Sequence, residues 1–254
     1  MINPMDLTGK TFLVTGASSG MGKQVCITLS KLGARVVLVA RNEKRLQETL
    51  NLMDSPEIHL IESFDLSNLD KIEDMVRRTS SKIGKFDGFC HCAGLGTMKP
   101  LLATTPDFME EMMTVNLYSF IEITRCITKK KFCNANMNIV AISSAASIRG
   151  DKAKSAYCST KGALDSAVQA LAAELGSIKK IRVNSVNPGW VNTEMFKEYI
   201  EAVGNEKVKE IEERQFMGVS EPSDIANVIA FLLSDASCVI TGQSILVDGG
   251  RTIW

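Results

Sequence analysis

Tyr157 and Lys161 stand four residues apart in an alanine-rich stretch, Ala153 to Leu175, whose spacing predicts a long helix. On a helix that spacing puts both side chains on one face. A free tyrosine titrates near pH ~10, and an adjacent ammonium favours the phenolate and lowers that value. The pair is therefore expected to give or take a proton nearer neutral pH. Ser144 follows an apolar run, Asn138 to Ser143, at a predicted strand end where a hydroxyl could orient a substrate oxygen. Surface helices carry Tyr and Lys at this spacing by chance, so the pair gains its weight from what precedes it.

Upstream lies Thr15-Gly16-Ala17-Ser18-Ser19-Gly20-Met21-Gly22, after a first strand (Thr11 to Thr15) and at the start of a helical pattern. Glycines there let the backbone turn sharply and approach a pyrophosphate, and the helix N-terminus offers free N–H groups and partial positive charge. The spacing is G-x-x-x-G-x-G, and a tight structural turn is the alternative.

These residues need a scaffold, and the rest of the chain predicts one. Further strands are expected at Arg35 to Ala40, Ile58 to Glu62, Phe86 to Ala93, Asn138 to Ser143, Ile181 to Val186 and Ser244 to Val247. Helical patterns fall between them, including one long helix from Met109 to Thr128. Strand–helix alternation predicts an α/β fold: a Rossmann-type, doubly wound parallel sheet of about seven strands in a single domain, 1–254. The segment from Glu194 to Phe216 breaks the rhythm. It is charged, with apolar residues at Phe196, Tyr199 and Ile200, and is expected to form a helical lid over the substrate at about 194–217, an ordinary surface helical hairpin being the alternative.

Bulk composition removes other classes. Formal net charge is +0, and the one basic run, Lys129-Lys130-Lys131, is expected to be a solvated helix end, so no nucleic-acid partner is expected. No apolar stretch is long enough for a membrane span and no secretion signal precedes Thr8. Seven cysteines without framework spacing suggest reduced thiols and a cytoplasmic protein. Cys90-His91-Cys92 lacks a second ligand pair at zinc spacing, and no metal site is expected.

Taken together, the motifs resemble the classical branch of the short-chain dehydrogenase/reductase family, 3-oxoacyl-acyl-carrier-protein reductases among them. The resemblance runs from Leu7 to Gly250. It rests on the Thr15–Gly22 loop, Asp65-Leu66, Ala93-Gly94, Asn116, Ser144, Tyr157, Lys161, Asn187-Pro188-Gly189-Trp190-Val191-Asn192-Thr193, Thr241-Gly242-Gln243 and Asp248-Gly249-Gly250. It implies that Ser144 polarises the substrate oxygen and Tyr157 moves its proton. Lys161 would hold the nicotinamide ribose and depress the Tyr157 pKa, and Asn116 would kink its helix and hold a relay water. The cofactor would meet Gly16, Ser18, Ser19, Gly20, Met21 and Gly22 at the pyrophosphate and Asp65 and Leu66 at the adenine. It would also meet Cys92, Ala93 and Gly94, Tyr157 and Lys161, and a nicotinamide cradle of Pro188, Gly189, Val191 and Thr193. A homotetramer is implied too, with small residues on the Tyr157 helix and the Gly249 to Trp254 tail available to a neighbour. One motif departs: the family's Asn-Asn-Ala-Gly is here His91-Cys92-Ala93-Gly94, and Cys92 lacks the hydrogen-bonding capacity of Asn.

The cofactor is expected to be NADP(H). The second strand ends Val39-Ala40-Arg41, so Ala40 holds the position where an acidic residue would select the ribose hydroxyls of NAD. Arg41 could grip a 2′-phosphate, with Ser18 adding a hydroxyl; Glu43 is expected in the next helix. The expected reaction is hydride transfer between carbonyl and secondary alcohol. The substrate could be a 3-oxoacyl thioester or a sugar, steroid or other small alcohol; a non-catalytic nucleotide sensor would not need the complete Asn116–Ser144–Tyr157–Lys161 set.

Overall fold

Apolar runs without alternation become the central strands. β1 (Thr11–Thr15) is buried along its whole length, and β2 (Arg35–Ala40) at its four central residues. Parallel strands covered on both faces require this. With β3 (Leu60–Ser63), β4 (Phe86–His91), β5 (Cys133–Ile142), β6 (Arg182–Pro188) and β7 (Ser244–Val247) they form one parallel sheet, ordered β3-β2-β1-β4-β5-β6-β7. The strand order reverses between β1 and β4, which opens a crevice at the carboxyl ends of those strands. The computed structural model describes residues 3–204 and 206–253. Met1, Ile2, Asn205 (within the expected lid) and Trp254 (the end of the expected contact tail) lie outside the described residues.

The pleat of β1 feeds two cores. Leu13 faces one side, with Ile72 and Met75 of α3 (Ile72–Ile83) and Leu164 and Val168 of α6 (Ser155–Lys179). Phe12 and Val14 face the other, with Val25 and Leu29 of α1 (Gly20–Lys31) and Ile225 and Ile229 of α9 (Pro222–Leu233). Period-2 alternation thus binds a helical layer to each face of the sheet. α2 (Glu43–Leu50) follows β2, and Glu43 lies in its first turn, as the sequence predicts.

The expected helix from Met109 to Thr128 is not uniform. The chain runs as α4 (Pro106–Met113), a π-helical turn (Thr114–Tyr118) and α5 (Ser119–Ile127). The wider turn sits at Asn116, whose side chain hydrogen-bonds to another segment. β5 also starts earlier than predicted, at Cys133, with a register irregularity against β4 between Phe86 and Gly88. β3 begins two residues late, because Pro56–Ile58 forms a 3-10 turn.

After β6, α7 (Glu194–Val203) and α8 (Glu206–Arg214) leave the βα rhythm. α7 buries none of its residues fully, and α8 buries Ile211. No helix among the described residues is long and apolar enough to cross a membrane.

Candidate active site

The glycine loop leaves β1 at the crevice. Gly16 has φ +66°, and a Cβ there would come within 2.8 Å of the Ala93 nitrogen. A Cβ at Gly22 would lie 2.2 Å from the Gly16 carbonyl oxygen. Neither position accommodates a side chain, so the backbone itself lines the crevice. Ser19 precedes α1 without a side-chain cap bond, which leaves the first N–H groups and the positive dipole end free for an anion. Across the crevice, the nearest side chain to Gly20 is Thr193, whose Cγ2 would be 3.4 Å from a Cβ. This cradle fits the pyrophosphate of a dinucleotide.

Four side chains converge at the carboxyl ends of β4 and β5. Ser144 ends β5's strand direction and turns into a 3-10 turn, where its hydroxyl accepts from the Ala146 N–H at 3.1 Å. Ser144 also acts on the Tyr157 phenol, lowering its pKa. Lys161 Nζ donates to the Ile142 carbonyl at 2.7 Å and lies 5.9 Å from the Tyr157 ring centroid. Asn116, fully buried, accepts from the Leu95 N–H at 2.7 Å, and its amide donates to the Leu95 carbonyl at 3.0 Å and the Thr160 hydroxyl at 2.9 Å.

The electrostatics differ from expectation. Burial raises the Tyr157 pKa, against the lowering influence of Ser144, with Cys158 raising and Arg251 lowering it further. The expected depression by Lys161 is thus overturned in this structure, because burial disfavours the phenolate and the ammonium is held on the Ile142 carbonyl. Lys161 itself is brought down to about 8 by burial, with Asp165 and Cys92 acting in the other direction.

The chain matches the family model described as enoyl-(acyl carrier protein) reductase over residues 16–252. It is 35% identical over 251 residues to a tropinone reductase homolog of Arabidopsis thaliana, covering 97% of this chain and 92% of that protein. It is 32% identical to a 3-oxoacyl-[acyl-carrier-protein] reductase of Rickettsia felis, covering 97% and 98%. The chain belongs to the classical short-chain dehydrogenase/reductase family. Among solved structures it resembles a 7α-hydroxysteroid dehydrogenase complexed with NADH and 7-oxo glycochenodeoxycholic acid, with TM-score 0.91, 28% identity and 98% coverage of each chain. This short-chain dehydrogenase/reductase is an oxidoreductase that uses a nicotinamide cofactor to interconvert carbonyl and alcohol groups of small molecules.

After β3, the Asp65 carboxylate accepts from the Ser67 N–H at 3.0 Å and hydroxyl at 2.9 Å. The backbone bond to Ser67 is the main influence holding its pKa below the usual value, and Arg41 adds to it. Arg41 is exposed at the end of β2. Leu66 is buried in the core beneath. After β6, Thr193 caps α7 by accepting from the Phe196 N–H at 3.4 Å, and Val191 is buried. Thr193 is thus a helix cap that also stands opposite Gly20 across the crevice.

The family departure at His91-Cys92 is compensated by Thr15. Its Oγ1 accepts from the N–H groups of Cys92 at 3.2 Å and Ala93 at 3.3 Å, so its own proton points at His91 Nδ1, 3.0 Å away. The neutral imidazole then carries its proton on Nε2, which faces the Val115 carbonyl without completing a hydrogen bond. Burial, then the Lys161 charge, lower the His91 pKa from 6.5 to about 3. The unfolded chain binds this proton below 6.5 and the folded chain does not, so stability is present above that value and is lost as pH falls towards about 3. We predict that His91→Asn flattens the fall in urea midpoint, removing about 2 kcal/mol of lost stability between about pH 7 and about pH 5. An unchanged pH dependence in the variant would show that His91 is not its source.

Several residues of the site gave no strong sequence signal. Asp165, one helical turn beyond Lys161, accepts from Ser185 at 2.8 Å and from Asn187 at 2.7 Å. Its distance from Lys161 in sequence was available, but its burial was not. Gln215 is fully buried and pins the loop after β6, accepting from the Trp190 N–H at 2.7 Å and donating to the Trp190 carbonyl at 2.9 Å. Nothing in the local pattern marks it.

Proposed function

We propose that this enzyme is an NADP(H)-dependent reductase in which Ser144 orients the substrate oxygen and Tyr157 supplies its proton, with Lys161 and Asn116 positioning the centre. The observation that carries this reading is the convergence of Ser144, Tyr157, Lys161 and Asn116 at the carboxyl ends of β4 and β5, with Ser144 acting to lower the Tyr157 pKa. It brings a proton donor together with an oxygen-orienting hydroxyl beside the glycine loop. The bound nicotinamide supplies or accepts the hydride. Ser144 then holds the carbonyl oxygen, Tyr157 passes its proton to the developing alkoxide, and Lys161 carries positive charge nearby. The relative named as a 3-oxoacyl-[acyl-carrier-protein] reductase makes a 3-oxoacyl thioester the first substrate class to try. Cofactor oxidation with thioester, sugar and steroid ketones tests the reading, and no turnover with any of them would overturn it.

The NADP preference rests on Ala40 and exposed Arg41, with the Ser18 hydroxyl nearby in the loop. Glu43 sits in the first turn of α2, where the helix dipole favours a carboxylate. Arg41→Ala is expected to weaken NADPH binding by about 1.5–3 kcal/mol, the range for a hydrogen bond to a charged group. NADH binding should hardly change. A wild-type enzyme that prefers NADH in steady-state kinetics would refute the preference.

The 194–217 segment acts in this reading as a lid. It has few buried side chains, and the exposed Arg45–Glu194 ion pair that ties its start to α2 is a weak tether. Cofactor plus substrate should slow its proteolysis. We further take the protein to be a cytoplasmic homotetramer. The free cysteines support a reducing compartment and the family resemblance supports the assembly, which light scattering would test.

A further inference from the structure

Under α7 and α8 lies a cavity of about 380 Å³. Its wall is aromatic, with Trp190 stacked on Tyr199 at a centroid distance of 4.4 Å. Two cations lie against that wall. Lys154 Nζ is 4.2 Å from the Trp190 ring centroid and 5.4 Å from that of Tyr199, and the Arg251 guanidinium is 5.1 Å from Trp190.

These two cations share one carboxylate. Asp151 Oδ2 accepts from Arg251 at 2.6 Å and from Lys154 at 3.5 Å. The Lys154 side chain is 10% exposed and that of Arg251 12%, so neither relies on bulk water for its solvation. Around the opening, Lys152, Lys207 and Arg214 face a single carboxylate, Glu210. The cavity is therefore lined by five cationic side chains and two carboxylates, and burying cations with too few partners is costly. Two members of this charged lining connect to the reaction centre. Lys154 immediately precedes α6, three residues before Tyr157, and the field of Arg251 reaches the Tyr157 hydroxyl.

We propose that this cavity binds an anionic group, a carboxylate or a phosphate, carried by the oxo substrate, with Lys154 and Arg251 gripping it against Trp190. Charge-assisted hydrogen bonds from a two-pronged guanidinium and an ammonium suit such a group, and the rings accept the apolar part of the molecule. The inference rests on the reading of Tyr157 as the group that faces the substrate, and it narrows the substrates of that reading to charged carbonyl compounds.

Calorimetry on the full-length, NADPH-saturated enzyme tests it with phenylbutanoate, its neutral amide phenylbutanamide, and phenylethyl phosphate. We expect at least one anion to bind about tenfold more tightly than the amide, the ratio given by one charge-assisted hydrogen bond. The tighter of the two anions identifies the group preferred. In Lys154→Met/Arg251→Gln that preference should disappear. Should this variant not fold, Lys207→Gln/Arg214→Gln, on more exposed side chains, should reduce the preference about threefold by weakening the surrounding field. Equal affinity for anions and amide, including no measurable binding of any, would overturn the proposal, as would a preference unchanged in the folded variant. The ketone panel separates the two readings. Turnover of neutral ketones alongside equal probe binding leaves the reductase and removes the anion site, whereas anion-selective binding without any turnover does the reverse.

Discussion

Tyr157→Phe is expected to lower turnover at least ~10²-fold while cofactor affinity changes by less than about twofold. The substitution keeps the ring packed on the cluster of Phe108, Met112 and Ala156 and removes only the hydroxyl. What is lost is the one phenolic proton at the centre, on a hydroxyl whose pKa Ser144 acts to lower. Because burial holds the Tyr157 pKa above its ordinary value, the side chain is protonated near neutral pH and ready to donate in the direction of carbonyl reduction. Steady-state kinetics with NADPH titrations on wild type and variant make the comparison. Near-normal turnover in Tyr157→Phe would remove the residue from its proposed role.

Asn116→Leu is expected to destabilise the fold by about 2–4 kcal/mol, from the cost of leaving hydrogen-bonding groups without partners. Leucine has similar volume but offers nothing to the Leu95 N–H and carbonyl or to the Thr160 hydroxyl, all three of which Asn116 engages. Thr160→Val removes one of these bonds and should cost less, about 1 kcal/mol. Urea unfolding of the two variants compares the effects. Equal, small losses would mean that the π-helical turn holds its shape without the Asn116 bonds. The larger loss should be accompanied by reduced turnover, since Leu95 follows Gly94, which approaches both Asn116 Oδ1 and Lys161 Nζ.

Much of this molecule follows from local rules. Uninterrupted apolar runs such as Val36 to Val39 can only be satisfied by cover on both faces, so the parallel sheet was predictable before any contact was known. Gly16 and Gly22 marked the loop because a backbone that must pass close to another backbone, or to a phosphate, tolerates no Cβ. Tyr157 and Lys161 were legible because helical periodicity relates residues four apart without reference to the rest of the fold.

What sequence spacing could not supply was long-range and electrostatic. The π-helical turn at Asn116 depends on Leu95, a partner 21 residues away, and local spacing alone predicts an unbroken helix there. The direction of the Tyr157 shift depends on how completely the fold removes water, and burial reverses the expectation drawn from Lys161 alone. His91 looked like a departure from a motif until the crevice brought Thr15 to it across 76 residues. Asp151, Lys154 and Arg251 carry no recognisable motif, and only the packing of the chain's last residues against Trp190 puts two cations on one carboxylate. Local periodicity determined the sheet, its helices and the proton-transfer pair, because those depend on neighbours in sequence. Tertiary structure decided protonation, loop anchoring and the charge of the cavity under α7 and α8, because burial and long-range contact exist only once the chain has closed on itself.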